Sequence, residues 1–238
     1  MFCVANLFRR TYAAFYQLPR SFMSSPRIRY QTMEFDDVDI HLRTLRDRQQ
    51  YEDVDDVALK LGISSATWPL FGVVWASGEV LAHFMFDFQI EGKRILEVGC
   101  GIALTSLVLN HRLADITATD YHPEAGKFLQ ENVKLNKGKA IPFVRTGWAD
   151  NNSTLGEFDI IMGSDLLYER DHVDLLSEFI DTHAKPHCEV ILVDPGRGQH
   201  ARFSKKMVKL GYEHSQSKPE HVDYLTDPFR GQILRYNR

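Results

Sequence analysis

The chain has 238 residues, 28 of them Lys or Arg and 32 Asp or Glu, for a formal net charge of −4. That length buries one sizeable core, and the acidic balance argues against a binder of phosphate backbones, so no nucleic-acid partner is expected. Cys3, Cys100 and Cys188 are widely scattered and signal neither a disulfide framework nor a zinc site; a reducing, cytoplasmic setting without a metal is expected.

Residues 1–33 contain no acid, whereas Arg9, Arg10, Arg20, Arg27 and Arg29 are basic and Ser21, Ser24 and Ser25 lie among them. They read as a basic N-terminal extension, disordered or preceding a true start at Met33. A mitochondrial transit peptide is the lower-weighted alternative. One domain is expected over 34–238, opening on an N-terminal helical cap. The stretch LRTLRDRQQYED, Leu42–Asp53, mixes charges like a solvated helix face. Pro69 and Gly72 interrupt the next segment, and Trp75–Phe86 is apolar and compatible with a helix. No apolar run is read as approaching the roughly 20 residues of a membrane span, so no membrane partner is expected.

From Arg94 onward strands and helices alternate. The expected strands are Arg94–Val98, Ile116–Thr119, Pro142–Thr146, Asp159–Gly163 and Glu189–Val193. Helices are expected in HPEAGKFLQENVKLN, with Pro123 in its first turn, in DHVDLLSEFIDTH, and in QHARFSKKMVKLG, which ends at Gly211. Such alternation predicts a mostly parallel sheet with helices on both faces. The tail GQILRYNR adds one strand, a candidate antiparallel edge.

The first of these strands runs into RILEVGCGIALTS, where Glu97 precedes Gly99, Cys100 and Gly101. Glycines at a strand–helix turn let the backbone bend and approach a ligand. Asp120 closes the second strand, where an acid takes ribose hydroxyls. A dinucleotide fingerprint wants a third glycine at 104, and Leu104 stands there. Glu97 would repel a pyrophosphate but suits a ligand bearing an ammonium and a sulfonium, such as S-adenosylmethionine. Its structural alternative is a carboxylate capping the following helix.

ILEVGCGIA resembles motif I of the seven-strand S-adenosylmethionine-dependent methyltransferases, with Ala103 where many members carry a third glycine. SDLLYE resembles the Asp-x-x-Tyr signature of the protein-lysine methyltransferase family, and WASGEVLA and TGWAD are similar to its two tryptophan segments. DPGRG resembles the electron-transfer-flavoprotein branch and bacterial relatives. The resemblance covers Trp68–Arg238 and implies a Rossmann-like α/β fold with a seven-stranded, mostly parallel sheet. It further implies that S-adenosylmethionine is wrapped by Glu97, Gly99, Cys100 and Gly101, that Asp120 takes the ribose, and that Trp75, Trp148 and Ser164 flank the ligand. Asp165 and Tyr168 become the candidate catalytic residues, Asp165 orienting an amine and Tyr168 presenting a hydroxyl or an aromatic wall.

Plainer roles stand beside these. Trp75 suits a core, Asp165 could cap the next helix, and Tyr168 could pack over a loop. DPGRG is either a border of the substrate path or a turn in which Arg197 pairs locally. His111, His172 and His187 read as surface residues, and the Ala103 methyl is expected to tighten the pocket. The favoured function is N-methylation of a lysine in a protein substrate. The alternatives are a small-molecule amine or ring nitrogen as acceptor and, ranked last, a catalytically idle binding module. Leu166-Leu167 replaces the prolines that exocyclic-nitrogen methyltransferases of nucleic acids carry after the fourth strand.

Overall fold

Short β-branched and leucine-rich runs separated by amphipathic helices build the molecule. A computed structural model describes residues 26–53, 55–150 and 154–238. Its elements are β1 (Ile28–Phe35), β2 (Val38–Leu45), α1 (Val57–Lys60), a 3-10 helix (Trp68–Gly72), α2 (Ala76–Phe86), β3 (Arg94–Val98), α3 (Leu104–His111), β4 (Asp115–Asp120), α4 (Ala125–Leu135), β5 (Phe143–Arg145), β6 (Phe158–Ser164), α5 (His172–His183), β7 (Ala184–Asp194), α6 (His200–Lys209), β8 (Glu213–Ser217) and β9 (Gln232–Asn237).

Seven strands form one sheet in the order β5-β4-β3-β6-β7-β9-β8. The first five of that order run parallel, and β9 is antiparallel to both β7 and β8. Because both faces are covered, β3 reads as a nearly continuous apolar run. Ile95, Ile160 and Met162 pack on one face with Leu81 and Met85 of α2 and Leu107 and Val108 of α3. Leu96, Ile161 and Val190 pack on the other with Leu176 and Ile180 of α5 and Phe203 and Met207 of α6. A third cluster joins the 3-10 helix to α4 through Trp68, Phe71, Ala125 and Phe128. The chain leaves β3 and β6 for opposite faces of the sheet. A crevice therefore opens beyond their adjacent carboxyl ends, and that is where such sheets bind ligands.

The expected strands and helices from Arg94 onward are present, with small shifts. Helix α4 begins at Ala125, so Pro123 precedes it and does not sit within its first turn. Edge strand β8 was not anticipated: EHSQS is polar and mostly exposed and has no apolar alternation to give it away.

The N-terminal region differs from expectation. β1 and β2 form an antiparallel hairpin, register Ile28↔Leu45 to Phe35↔Val38, through a two-residue turn with Asp36 at φ 50°. Leu42–Leu45 is therefore strand, where a charged helix face was expected, and Arg46–Asp53 is irregular. The cause is a period of two: Ile40 and Leu42 are buried while Asp39 and His41 are exposed. β1 also runs through residue 33, where the extension was expected to end. Residues 1–25, with Cys3, lie outside the described residues. The side chains of Asn132 in α4 and Asn136 at its C-cap accept the backbone N–H groups of Arg43 and His41 at 2.6 and 2.8 Å, clamping the hairpin to the domain.

Trp68–Phe86 is 19 residues with mean hydropathy 1.3, long and apolar enough to span a bilayer by composition, which corrects the reading that no run approaches that length. Here it is split between the 3-10 helix and α2, and Trp68, Phe71, Leu81 and Met85 are buried in the domain core.

Candidate active site

The crevice is an open cavity of about 680 Å³ lined by the ends of β3, β4 and β6, the first turn of α2, and the segment Leu61–Trp75. Its volume lies within the range of small-molecule sites. All ten residues singled out from sequence line it: Trp75, Glu97, Gly99, Cys100, Gly101, Asp120, Trp148, Ser164, Asp165 and Tyr168.

The floor is the turn after β3. Gly99 and Gly101 adopt φ 61° and 55°, where an L side chain is strained, and a Cβ on Gly101 would sit 2.9 Å from the Phe71 carbonyl oxygen. The Gly101 N–H donates to Asp120 Oδ2 at 2.7 Å, and the His122 N–H donates to Oδ1 at 2.7 Å. The Tyr121 N–H also donates to this carboxylate, which still has acceptor capacity for a hydroxyl. The Cys100 N–H donates to the Thr119 carbonyl at 2.9 Å, tying β3's exit to β4, and burial drives its thiol well above the usual range.

Glu97 is buried, and its Oε2 accepts both the backbone N–H and the hydroxyl of Ser106, in the first turn of α3. The helix-capping role considered from sequence is thus present, and Glu97 lines the cavity as well. Burial pushes its carboxyl up to about 7, against the Ser106 and Thr105 hydrogen bonds. Burial also raises Asp120, opposed by the backbone N–H groups of His122 and Gly101. Among the described residues no cationic side chain offsets either acid. Two desolvated carboxylates facing one cavity fit a ligand that brings its own positive charge.

Trp75 caps α2. Its indole N–H donates to the Leu70 carbonyl at 2.8 Å, and the Arg48 guanidinium lies 4.0 Å over its ring. It is a wall residue, only partly buried, and not the core residue its apolar neighbours suggested. Ser164 ends β6 against α2, where a Cβ on Gly78 would lie 3.4 Å from its Oγ. Ala103 departs from expectation: it does not line the cavity but is fully buried in the main core, at φ 60°. Its methyl points away from the ligand space.

At the mouth, Asp165 follows β6 with φ 54°, and its N–H donates to the Val193 carbonyl at 2.9 Å. The residue does not cap α5, whose N-cap is Asp171. Both of its carboxylate oxygens are taken by Arg197, Nε to Oδ1 at 2.5 Å and Nη2 to Oδ2 at 2.7 Å. The DPGRG turn therefore borders the site. Tyr168 is exposed, and its ring meets His172 edge-on at 4.4 Å; Trp148 meets the same imidazole at 4.9 Å. His172, read as a surface residue, lines the cavity, and its Nδ1 donates to the Leu166 carbonyl at 2.8 Å. His122 was missed. It is buried, stacked on Phe71 at 3.9 Å, and pushed down to about 3 by burial. Its position two residues past Asp120 was the available signal.

The chain has the Rossmann-like fold of methyltransferases, with acids at its strand ends facing the cavity. The chain shares this fold with magnesium protoporphyrin IX methyltransferase from Synechocystis, solved with S-adenosylmethionine bound, at TM-score 0.56 and 16% identity over 81% of this chain and 88% of that one. It shares it also with a ribosomal protein L11 methylase from Lactobacillus delbrueckii, at TM-score 0.58 and 18% identity over 88% and 99%. Residues 56–209 match the lysine methyltransferase family, and the chain belongs to it. S-adenosylmethionine is its cofactor. Its relatives include the electron transfer flavoprotein beta subunit lysine methyltransferase of Xenopus laevis, 27% identical over 67% of each chain. The mouse protein of that name is 29% identical over 57% of this chain and 54% of its own length. Protein N-lysine methyltransferase METTL21A of Danio rerio is 33% identical over 54% and 63%. The chain spans about half to two thirds of the curated relatives it matches.

Proposed function

We propose that this chain transfers the methyl group of S-adenosylmethionine to the side-chain amine of a lysine in a protein substrate. The observation that carries this reading is one cavity with two buried carboxylates on its floor and a third, Asp165, held at its mouth. Among the described residues, the wall carries the acids Glu97, Asp120, Asp150, Asp165, Glu169 and Asp171 against one guanidinium, that of Arg197. Such a wall attracts an amine and repels phosphate, which favours a protein over a nucleic acid.

When bound, the cofactor supplies an electrophilic methyl group on sulfur. Glu97 and the glycine turn would hold its amino-acid end, Asp120 its ribose, and Trp75 and Trp148 the sides of the cleft. The protein's remaining task is to bring an amine lone pair into line, and orientation of this kind lowers a barrier by several kcal/mol. A lysine near pKa 10.4 costs about 4–5 kcal/mol to present neutral at pH 7. Desolvation in the cavity reduces that cost, and the open mouth lets the proton leave to water. Asp165 then accepts an N–H from the amine and fixes its approach, with Tyr168 as the adjoining wall.

The test is transfer of label from S-adenosylmethionine into a cell extract, resolved on a gel, with Asp165→Ala beside the unaltered chain. A discrete band lost with the variant supports the reading. Label confined to small molecules overturns it in favour of a free amine.

A further inference from the structure

β7 ends at Asp194, and the chain turns through residues 195–198 before α6 begins at His200. Asp194 is buried, and its Oδ1 accepts the Gly196 N–H at 2.8 Å, which pins the turn to the strand end. Arg197 follows directly and reaches Asp165 on the neighbouring strand end, both fork nitrogens bonding both carboxylate oxygens. Asp165 lies just beyond β6 with its side chain 13% exposed, and Arg197 is the side chain that pairs with its carboxylate. A point charge would fix its distance; a planar guanidinium fixes its plane as well. Each fork bond uses one lone pair per oxygen and leaves acceptor capacity on a residue that lines the crevice.

We propose that Arg197 is a positioning residue for the transfer: presented by the turn anchored on Asp194, it sets the Asp165 carboxylate so that the remaining lone pairs meet the incoming amine. This rests on the lysine-transfer reading above and deepens it. Arg197 itself touches neither amine nor methyl. The rival is a placeholder that the substrate ammonium displaces, and it predicts the opposite sign on removal.

The experiment follows labelled transfer into extract protein by the full chain and its variants, with cofactor affinity from calorimetry. Arg197→Gln is expected to lose about 10²-fold in turnover, the scale of a misplaced reacting group, with cofactor affinity unchanged. Arg197→Lys recovers part of the loss. Arg197→Ala is rescued by guanidinium at sub-denaturing concentration, because the Arg197 side chain is 44% exposed and its place is open to solvent; Asp165→Ala is not rescued. Separately, phenylglyoxal modifies Arg197 faster in Asp165→Asn than in the unaltered chain, a readout that needs no activity. Undiminished or raised turnover in Arg197→Gln overturns the proposal, as do equal phenylglyoxal rates, or a loss accompanied by weakened cofactor binding and no rescue. An unaltered chain that transfers nothing overturns the methyl-transfer reading and this role with it. That result differs from failure of the proposal alone, in which unaltered chain and variant transfer equally.

Discussion

Asp120 and Gly101 are joined by a 2.7 Å hydrogen bond from backbone N–H to carboxylate, nineteen residues apart in sequence. The bond couples the acid closing β4 to the turn leaving β3, so the two expected cofactor contacts form one rigid piece. Register supports it: Val98 of β3 lies opposite Thr119 of β4, and each element ends within two residues of that pair.

Gly101→Val should abolish measurable cofactor binding while the fold survives. The valine would need φ near 55° and would place its Cβ 2.9 Å from a backbone oxygen that cannot swing aside. Left-handed backbone alone costs about 1–2 kcal/mol, which lowers the melting midpoint by several degrees in a domain of this size. Calorimetry with S-adenosylmethionine and circular dichroism check the two halves; unchanged affinity would remove the turn from the cofactor site.

Asp165→Asn should bind cofactor as the unaltered chain does and lose about 10²-fold in transfer. The amide cannot accept the full Arg197 fork and also receive an amine N–H on both oxygens. Single-turnover kinetics with labelled cofactor measure the loss, and a folded variant of full activity would take Asp165 out of the mechanism.

Cofactor binding should release a proton near pH 6. Folding raises Glu97 from 4.5 to about 7 by burial, so the carboxyl is mostly neutral there until a cationic ligand favours its ionised form. For the free protein the sign is the reverse of a paired acid. Between about 5 and 7 the folded state binds the extra proton, so stability falls as pH rises. Glu79, also pushed to about 7 by burial, adds to that slope, and Glu97→Gln isolates the first contribution. Calorimetry in buffers of different ionisation heat counts the proton; an equal count in Glu97→Gln would refute the assignment.

His122→Phe should resist acid better than the unaltered protein. The imidazole falls from 6.5 to about 3 on burial, so the folded state refuses a proton that the unfolded chain accepts. Stability is therefore complete above about 6.5 and lost as pH falls toward 3. At pH 7 the variant loses the acceptor of the Glu124 N–H, 3.2 Å away, but relieves a buried Nε2 that has no partner among the described residues. Each effect is about 1 kcal/mol, so the melting midpoints should nearly coincide there and separate by pH 5.

The sequence showed what is local and periodic. The strands around Ile95, Ile116, Ile160 and Val190 follow from apolar runs, and the Gly99–Gly101 turn from its residue types. The β1–β2 hairpin carried an equally local signal, Val38, Ile40 and Leu42 alternating with Asp39, His41 and Arg43. The charges interleaved with that alternation fit a solvated helix face as well as the outer face of a strand. Asp165 was legible as a candidate, but its bond to Arg197 was not, since 32 residues and two strand ends separate them. Ala103 shows the converse: its place in a motif suggested the ligand space, and only the packing of α3 reveals that its methyl faces the core.

The measurement closest to the central claim is the chemistry of the labelled product. Protein from extract treated with this chain and labelled S-adenosylmethionine would be hydrolysed to amino acids and the label chromatographed against methylated standards. Label eluting with methylated lysine, and absent when Asp165→Ala replaces the unaltered chain, is the predicted result. Label on another amino acid, in nucleic acid or in free small molecules would contradict it.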